Sequence, residues 1–162
     1  MRRTILMLMA ALVFSHPPSE AAGATDYGRL SKFVLESFRC GVYASYAQKK
    51  EIAPILYERG IEAGREFIGA ARRGKVSDKD FDSAVPMFIG WILQEGGPSD
   101  DFILGRIFEQ STSMASDSII KENDGVLLPV DKWVLDPELR RSIALNKYES
   151  GNCWALANGP TQ

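Results

Sequence analysis

Leu30-Ser31-Lys32-Phe33-Val34-Leu35-Glu36-Ser37-Phe38-Arg39-Cys40-Gly41-Val42 is the stretch on which the fold turns. Leu30, Phe33, Val34, Phe38 and Val42 recur at three- and four-residue steps, the period of a helix with one buried face; the apolar positions of a strand would alternate. The spacing predicts a helix from Thr25 to about Gln48, with Asp26 as its N-cap. Cys40 follows Phe33 by two helical turns, at the edge of the same apolar stripe, so a bond from it would lie under the surface.

The same period continues downstream. After a short polar link, Lys49-Lys50-Glu51, a second helix is expected from Ile52 or Pro54 to Arg73, with Leu56, Gly60, Ala63, Gly64, Phe67 and Ala71 on one face and Gly74 as its stop. Ser77 is the N-cap of a third segment, Asp78 to Glu95, in which Pro86 either kinks one helix or starts a second. Met87 to Leu93 is apolar on nearly all sides and is expected to be the most buried stretch of the chain. Gly96-Gly97-Pro98 breaks the run and Ser99 caps a fourth helix, Asp100 to about Lys121, with Ile103, Leu104, Ile107, Phe108, Ser111, Met114, Ala115, Ser118 and Ile119 as its stripe. Asn123-Asp124-Gly125 ends it in a turn. Val126 to Leu135 is read as an extended connector packed over the core, because Pro129 argues against a sheet strand. Asp136-Pro137 opens a last helix to about Tyr148, followed by a tail that frays. The expected fold is all-α: a single-domain bundle of four to five helices over residues 25–162.

Upstream, Met1-Arg2-Arg3, the apolar run Ile5–Phe14 and the polar stretch ending in Ala22-Gly23-Ala24 have the anatomy of a secretory signal peptide over residues 1–24. Cleavage is expected after Ala24, with Ala21 or Ala22 as the lesser alternative. Ten apolar residues are about half of the roughly 20 that cross a bilayer, so no stable membrane anchor is expected. A lipid anchor would need a cysteine directly after the cleavage site, and the first cysteine is Cys40. The expected location is the periplasm or the exterior. Removing 24 of the 162 residues leaves 138 and takes the net charge from −2 to −3. That balance attracts neither nucleic acid nor an anionic membrane by bulk charge.

Two cysteines in an exported chain imply one disulfide, Cys40–Cys153, closing a loop of about 112 residues worth roughly 4–5 kcal/mol on the chain-entropy model. A redox-active pair would sit as Cys-x-x-Cys in an activating context, and this pair does not. The sole histidine, His16, leaves with the leader. Imidazole bases, histidine-containing triads and histidine-ligated zinc are thereby excluded from the mature chain. No cofactor, metal or catalytic set is expected.

Gly64-Arg65-Glu66-Phe67 and Gly105-Arg106-Ile107-Phe108 share Gly-Arg-x-Phe, 41 residues apart and each inside a helix. Glycine within a helix costs up to about 1 kcal/mol against alanine, so it needs a reason. Close helix–helix approach supplies one, with Phe67 and Phe108 filling the adjacent volume. The alternative is a shared pocket in which Arg65 and Arg106 face each other. Trp133 and Trp154, with Tyr43, Tyr46 and Tyr57, are the aromatics expected to be partly exposed for binding or packing. Glu58, Glu62 and Glu66, interleaved with Arg59 and Arg65, are expected on a solvated helix face. Asp100 and Asp101 after Gly97-Pro98-Ser99 favour capping over phosphate binding, and Asp78, Asp80 and Asp82 open a helix where a calcium loop would need a glycine turn. Arg72, Arg73 and Lys75 suit a helix C-terminus.

Between Phe33 and Glu109, and most clearly over Gly97-Pro98-Ser99-Asp100-Asp101-Phe102-Ile103-Leu104-Gly105-Arg106-Ile107-Phe108, the chain resembles uncharacterised exported bacterial proteins. In plan, with a leader, a small helical body and one bridge to the C-terminal region, it also resembles the periplasmic immunity proteins that block peptidoglycan-cleaving toxins of secretion systems. That likeness implies a non-catalytic protein-binding module whose partner is another envelope protein, with an exposed aromatic or acidic patch. Two other functions fit the composition. A carrier of a small apolar ligand requires a cavity between the glycine-bearing helices. A histidine-free hydrolase requires two buried carboxyl groups converging in a cleft.

Overall fold

The computed structural model describes residues 26–123 and 125–159; the signal-peptide expectation for residues 1–24 lies outside them. Helix α1 (Tyr27–Tyr46) begins where Asp26 accepts a hydrogen bond from the Arg29 amide at 3.0 Å. It is the axis of an all-α fold and packs against α2 (Ile52–Arg72), α3 (Asp78–Ser83), α5 (Asp100–Ile120), α6 (Pro137–Ser150) and α7 (Cys153–Asn158). A central helix must bury more than one stripe, and buried side chains line most of the length of α1.

Two cores share that axis. The N-terminal half of α1 gives Leu30, Phe33, Val34 and Phe38 to a cluster with Phe67 and Ile68 of α2, Ile89 of α4 (Met87–Glu95) and Ile103 and Ile107 of α5. The C-terminal half gives Cys40, Val42, Tyr43 and Ala44 to a cluster with Leu56, Ile119, Ala144, Tyr148 and Cys153. Fully burying side chains of the size of Phe38, Phe67 or Leu56 contributes roughly 1.5–3 kcal/mol each. Cys40 and Cys153 are bonded, with their Cα atoms 5.4 Å apart, so the expected disulfide fastens α7 to the middle of α1.

Two glycines explain how the helices come so close. A Cβ on Gly60 would stand 2.5 Å from the Phe38 ring, and one on Gly64 would stand 2.4 Å from Leu104. The α2 backbone therefore touches side chains of α1 and α5 directly. Gly105 is different: an added Cβ there meets nothing within 4 Å, so close approach does not account for it.

One open alternative is decided and three local expectations change. At Pro86 the chain splits, giving the separate helices α3 and α4; Ser77 and Asp80 close a reciprocal cap on the first of them. The stretch Met87–Leu93 is not the most buried part of the chain: only Ile89 and Ile92 are buried, while Met87 is 69% and Trp91 57% exposed. Helix α4 packs on α5 and leaves Met87 and Trp91 exposed. The segment after α5 is not packed over the core. Glu122–Asn123 (β1) and Val126–Leu127 (β2) pair antiparallel, Glu122 opposite Leu127 and Asn123 opposite Val126, with Gly125 at φ +77° in the turn. A single 3-10 turn, Val130–Lys132, follows. Finally, the tail does not fray after Tyr148. Asn152 adopts a left-handed conformation, φ 51°, that ends α6, and the bridge then holds Cys153–Asn158 as α7. With the split at Pro86 and this terminal helix, the described residues form seven helices, two of them only six residues long.

Candidate functional site

An open groove of about 1250 Å³ runs between the end of α2, α3, α4 and the start of α5. Its geometry follows from the two chain breaks that bound α4. Pro86 starts the helix afresh, and Gly96, at φ 72°, ends it after nine residues. So short a helix seats Ile89 and Ile92 inward and turns Met87, Gly90, Trp91 and Gln94 outward, at positions i, i+3, i+4 and i+7 of one face. Gly90 is open, with no atom within 4 Å of an added Cβ, so the groove floor between Met87 and Trp91 is bare backbone. Phe81, Val85, Leu93 and Ile103 make the apolar wall.

The polar rim is unequal in charge. Asp78 and Asp82 of α3 line it on one side. On the other, the Arg72 guanidinium is already held by Asp100 at 2.6 Å and donates to the Gly97 carbonyl at 3.2 Å. Asp80 does not face the groove freely: hydrogen bonds from the Ser77 hydroxyl (2.6 Å) and backbone amide (3.2 Å) tie it into the cap and hold its carboxyl below the usual aspartate value. The groove thus combines an exposed tryptophan, an exposed methionine and a surplus of carboxylate. No group of histidine, cysteine, aspartate or glutamate placed to hold a metal occurs among the described residues.

The residues singled out from the sequence are dispersed. Arg65 pairs with Asp101 at 3.2 Å and Arg106 with Glu95 at 2.5 Å, both on the surface, so the two arginines do not face each other. Phe67 is fully buried. Phe108 sits at the surface and lids Phe38 edge-on, ring centres 5.1 Å apart. The two Gly-Arg-x-Phe segments therefore occupy different environments, Gly64 tightly packed and Gly105 open. Trp133 is half-buried, its indole N–H donating to the Leu128 carbonyl at 3.2 Å and Lys121 lying over its ring at 5.2 Å. Trp154 is exposed beside Lys49, Lys50 and Tyr148, in a shallow depression of about 440 Å³. Tyr43, expected partly exposed, is buried and within 3.3 Å of the Ser118 hydroxyl.

Trp91 and Met87 were not legible as surface residues. Their spacing alone reads as core, and the available signal was the length of the helix: proline and a glycine pair cut it to nine residues, too few to be enclosed on all sides. Comparison with protein-family models, with curated proteins and with solved structures gives no match.

Proposed function

We propose that the chain is an exported, non-catalytic protein-binding module of the immunity or inhibitor kind, and that its contact surface is the Met87–Trp91 face of α4 with the groove beside it. The observation that carries this is Trp91, 57% exposed within the apolar run Met87–Leu93, over a preformed groove edged by Asp78 and Asp82. Tryptophan is the residue type that most often anchors a protein interface, and a rim rich in carboxylate suits a partner segment that presents apolar and basic side chains. Export is supported by the leader-like residues 1–24 and by a disulfide, which persists in oxidising compartments. No helix among the described residues is long and apolar enough to cross a membrane.

The competing functions draw less support. A cavity between the glycine-bearing helices would need space at Gly60 and Gly64, where Phe38 and Leu104 already stand. Carboxylate hydrolysis would need buried acids, and the buried polar residues described are all serines.

The test places a photo-crosslinking residue at Met87 in the chain expressed in its native envelope, with Glu62 on the far side of α2 as the control position. A partner crosslinked from position 87 and not from 62 is then purified. Trp91→Ala should weaken its binding by about 30-fold, the effect of losing a ~2 kcal/mol anchor. Equal crosslinking at both positions, or unchanged affinity of the Trp91→Ala protein, overturns the assignment.

A further inference from the structure

The charges around the groove divide into those already matched and those left over. Arg72 is held by Asp100 at 2.6 Å, Arg65 by Asp101 at 3.2 Å, and Arg106 by Glu95. Asp78 and Asp82 are exposed where they line the groove and have no ion pair among the described residues. Lys75 and Lys79, the cations nearest to them in sequence, are exposed and do not line it. Asp78 and Asp82 stand on one side of α3, a helical turn or about 6 Å apart along its axis, and the reciprocal cap of Ser77 and Asp80 fixes where that helix starts. Helix α4 contributes Met87 and Trp91, both exposed, with the bare backbone of Gly90 between them.

We infer that this groove takes a basic amphipathic helix of the partner, lying along α3, with an apolar side chain seated over Gly90 between Met87 and Trp91 and two basic side chains, three or four residues apart, against Asp78 and Asp82. The inference rests on the protein-binding reading of the groove and names the chemistry of what it binds. The helical form follows from the backbone. The groove is lined by α2, α3, α4, α5 and the links that join them, so it offers no strand edge. An extended occupant would bury its own N–H and C=O groups against Phe81, Val85, Leu93 and Ile103, and each one left unpaired weakens binding. A helix satisfies those groups internally. The basic spacing follows from α3, because side chains three or four apart on a helix are neighbours along one face, the same step as Asp78 to Asp82. The sign of the charge decides between occupants. An isologous contact with a second copy would bring a second set of the same unmatched carboxylates into the seam, and an anionic bilayer would meet them with like charge. A basic helix meets them with opposite charge, which speeds encounter and makes the affinity depend on salt.

The test identifies, by mass spectrometry of the joined peptide, the partner segment crosslinked from position 87 in the native envelope. That segment should carry Lys or Arg at two positions three or four apart, apolar residues on the adjoining face and no proline between them. Synthesised as a peptide and added to the protein purified from the same envelope, it should show helical carbon chemical shifts when bound. Asp78→Lys/Asp82→Lys should weaken its binding by at least about tenfold and Asp78→Asn/Asp82→Asn by about threefold, with unchanged circular dichroism. Raising the salt from about 0.05 to about 0.5 M should weaken binding to the parent by at least about threefold. Glu58→Lys/Glu62→Lys makes the same change of charge at the same spacing on the exposed face of α2 and should bind like the parent. A crosslinked segment without the basic pair, a peptide bound in extended form, or undiminished binding by the folded Asp78→Lys/Asp82→Lys protein overturns this inference and leaves the protein-binding assignment standing. Should the lysine variant unfold, unchanged affinity in the asparagine variant and across the salt series overturns it equally. Absence of any protein crosslinked from position 87 overturns both.

Discussion

Removing the bridge by Cys40→Ala/Cys153→Ala tests how the C-terminal helix is held. The bonded residues are 113 apart in sequence, and closing a loop of that size in the unfolded chain costs it about 5 kcal/mol of conformational free energy on the chain-entropy model. That is a large share of the 5–15 kcal/mol typical of a whole domain. At this chain length 1 kcal/mol corresponds to about 3–4 °C, so the melting temperature should fall by about 15–20 °C. Both sulfurs are fully buried and their loss leaves a small void, which adds to the cost. Urea unfolding of the two proteins at one pH measures the difference, and thiol titration of the denatured, unreduced parent should find no free cysteine. The loss should also be uneven along the chain. Helix α7 has six residues, too few to persist alone, and is held by the bridge, by Ala157 and Leu156 in the core and by the Arg59 side chain on the Ala157 carbonyl at 3.0 Å. Amide exchange should therefore speed up first over Ala155–Asn158, ahead of the Phe38–Phe67 region. A stability loss below about 1.5 kcal/mol, or uniform loss of protection, would refute the reasoning.

Three further outcomes follow from individual contacts. Gly60→Ala should destabilise by about 1–3 kcal/mol, because its Cβ meets the fully buried Phe38 ring, whereas Gly105→Ala should stabilise by about 0.5–1 kcal/mol; thermal melts of the pair check the contrast, and equal shifts would contradict it. Ser37→Ala should raise stability by about 1 kcal/mol, since the Ser37 hydroxyl is buried with no hydrogen-bond partner among the described residues; a loss in chemical unfolding would contradict that. Ser77→Ala should move the Asp80 titration up towards the ordinary 3.8, because the hydroxyl and amide of Ser77 stabilise the ionised form. The sign follows: a lowered folded value means that the cap is strongest above the unfolded value and is lost as pH falls through the folded one. NMR titration of Asp80 in both proteins measures this, and coincident curves would contradict it.

The elements whose limits are set by local chemistry were legible. Asp26, Ser77, Ser99 and Asp136 accept hydrogen bonds from the first turns of their helices, as side chains of those types do wherever a helix begins. The stripe Leu30–Val42 identified the central helix, because period and burial coincide when other elements surround a helix. The site was not legible, for a related reason. Met87–Leu93 and Val126–Leu135 are apolar, and hydropathy records what a side chain gains by burial without recording whether anything is there to bury it.

By itself, then, the sequence determined the all-α class, the four helix starts capped by Asp26, Ser77, Ser99 and Asp136, the split or kink at Pro86 and the single bridge, since each depends on period, capping groups, proline geometry or cysteine count. Tertiary structure alone decided which apolar residues remain outside. Ile89 and Ile92 of α4 meet α5 while Met87 and Trp91 meet water, and the hairpin's backbone hydrogen bonds turn Val126 and Leu127 away from the core. Those outcomes depend on where the other helices lie, and the outer face of α4 and the hairpin are the places where local apolar preference was left uncovered.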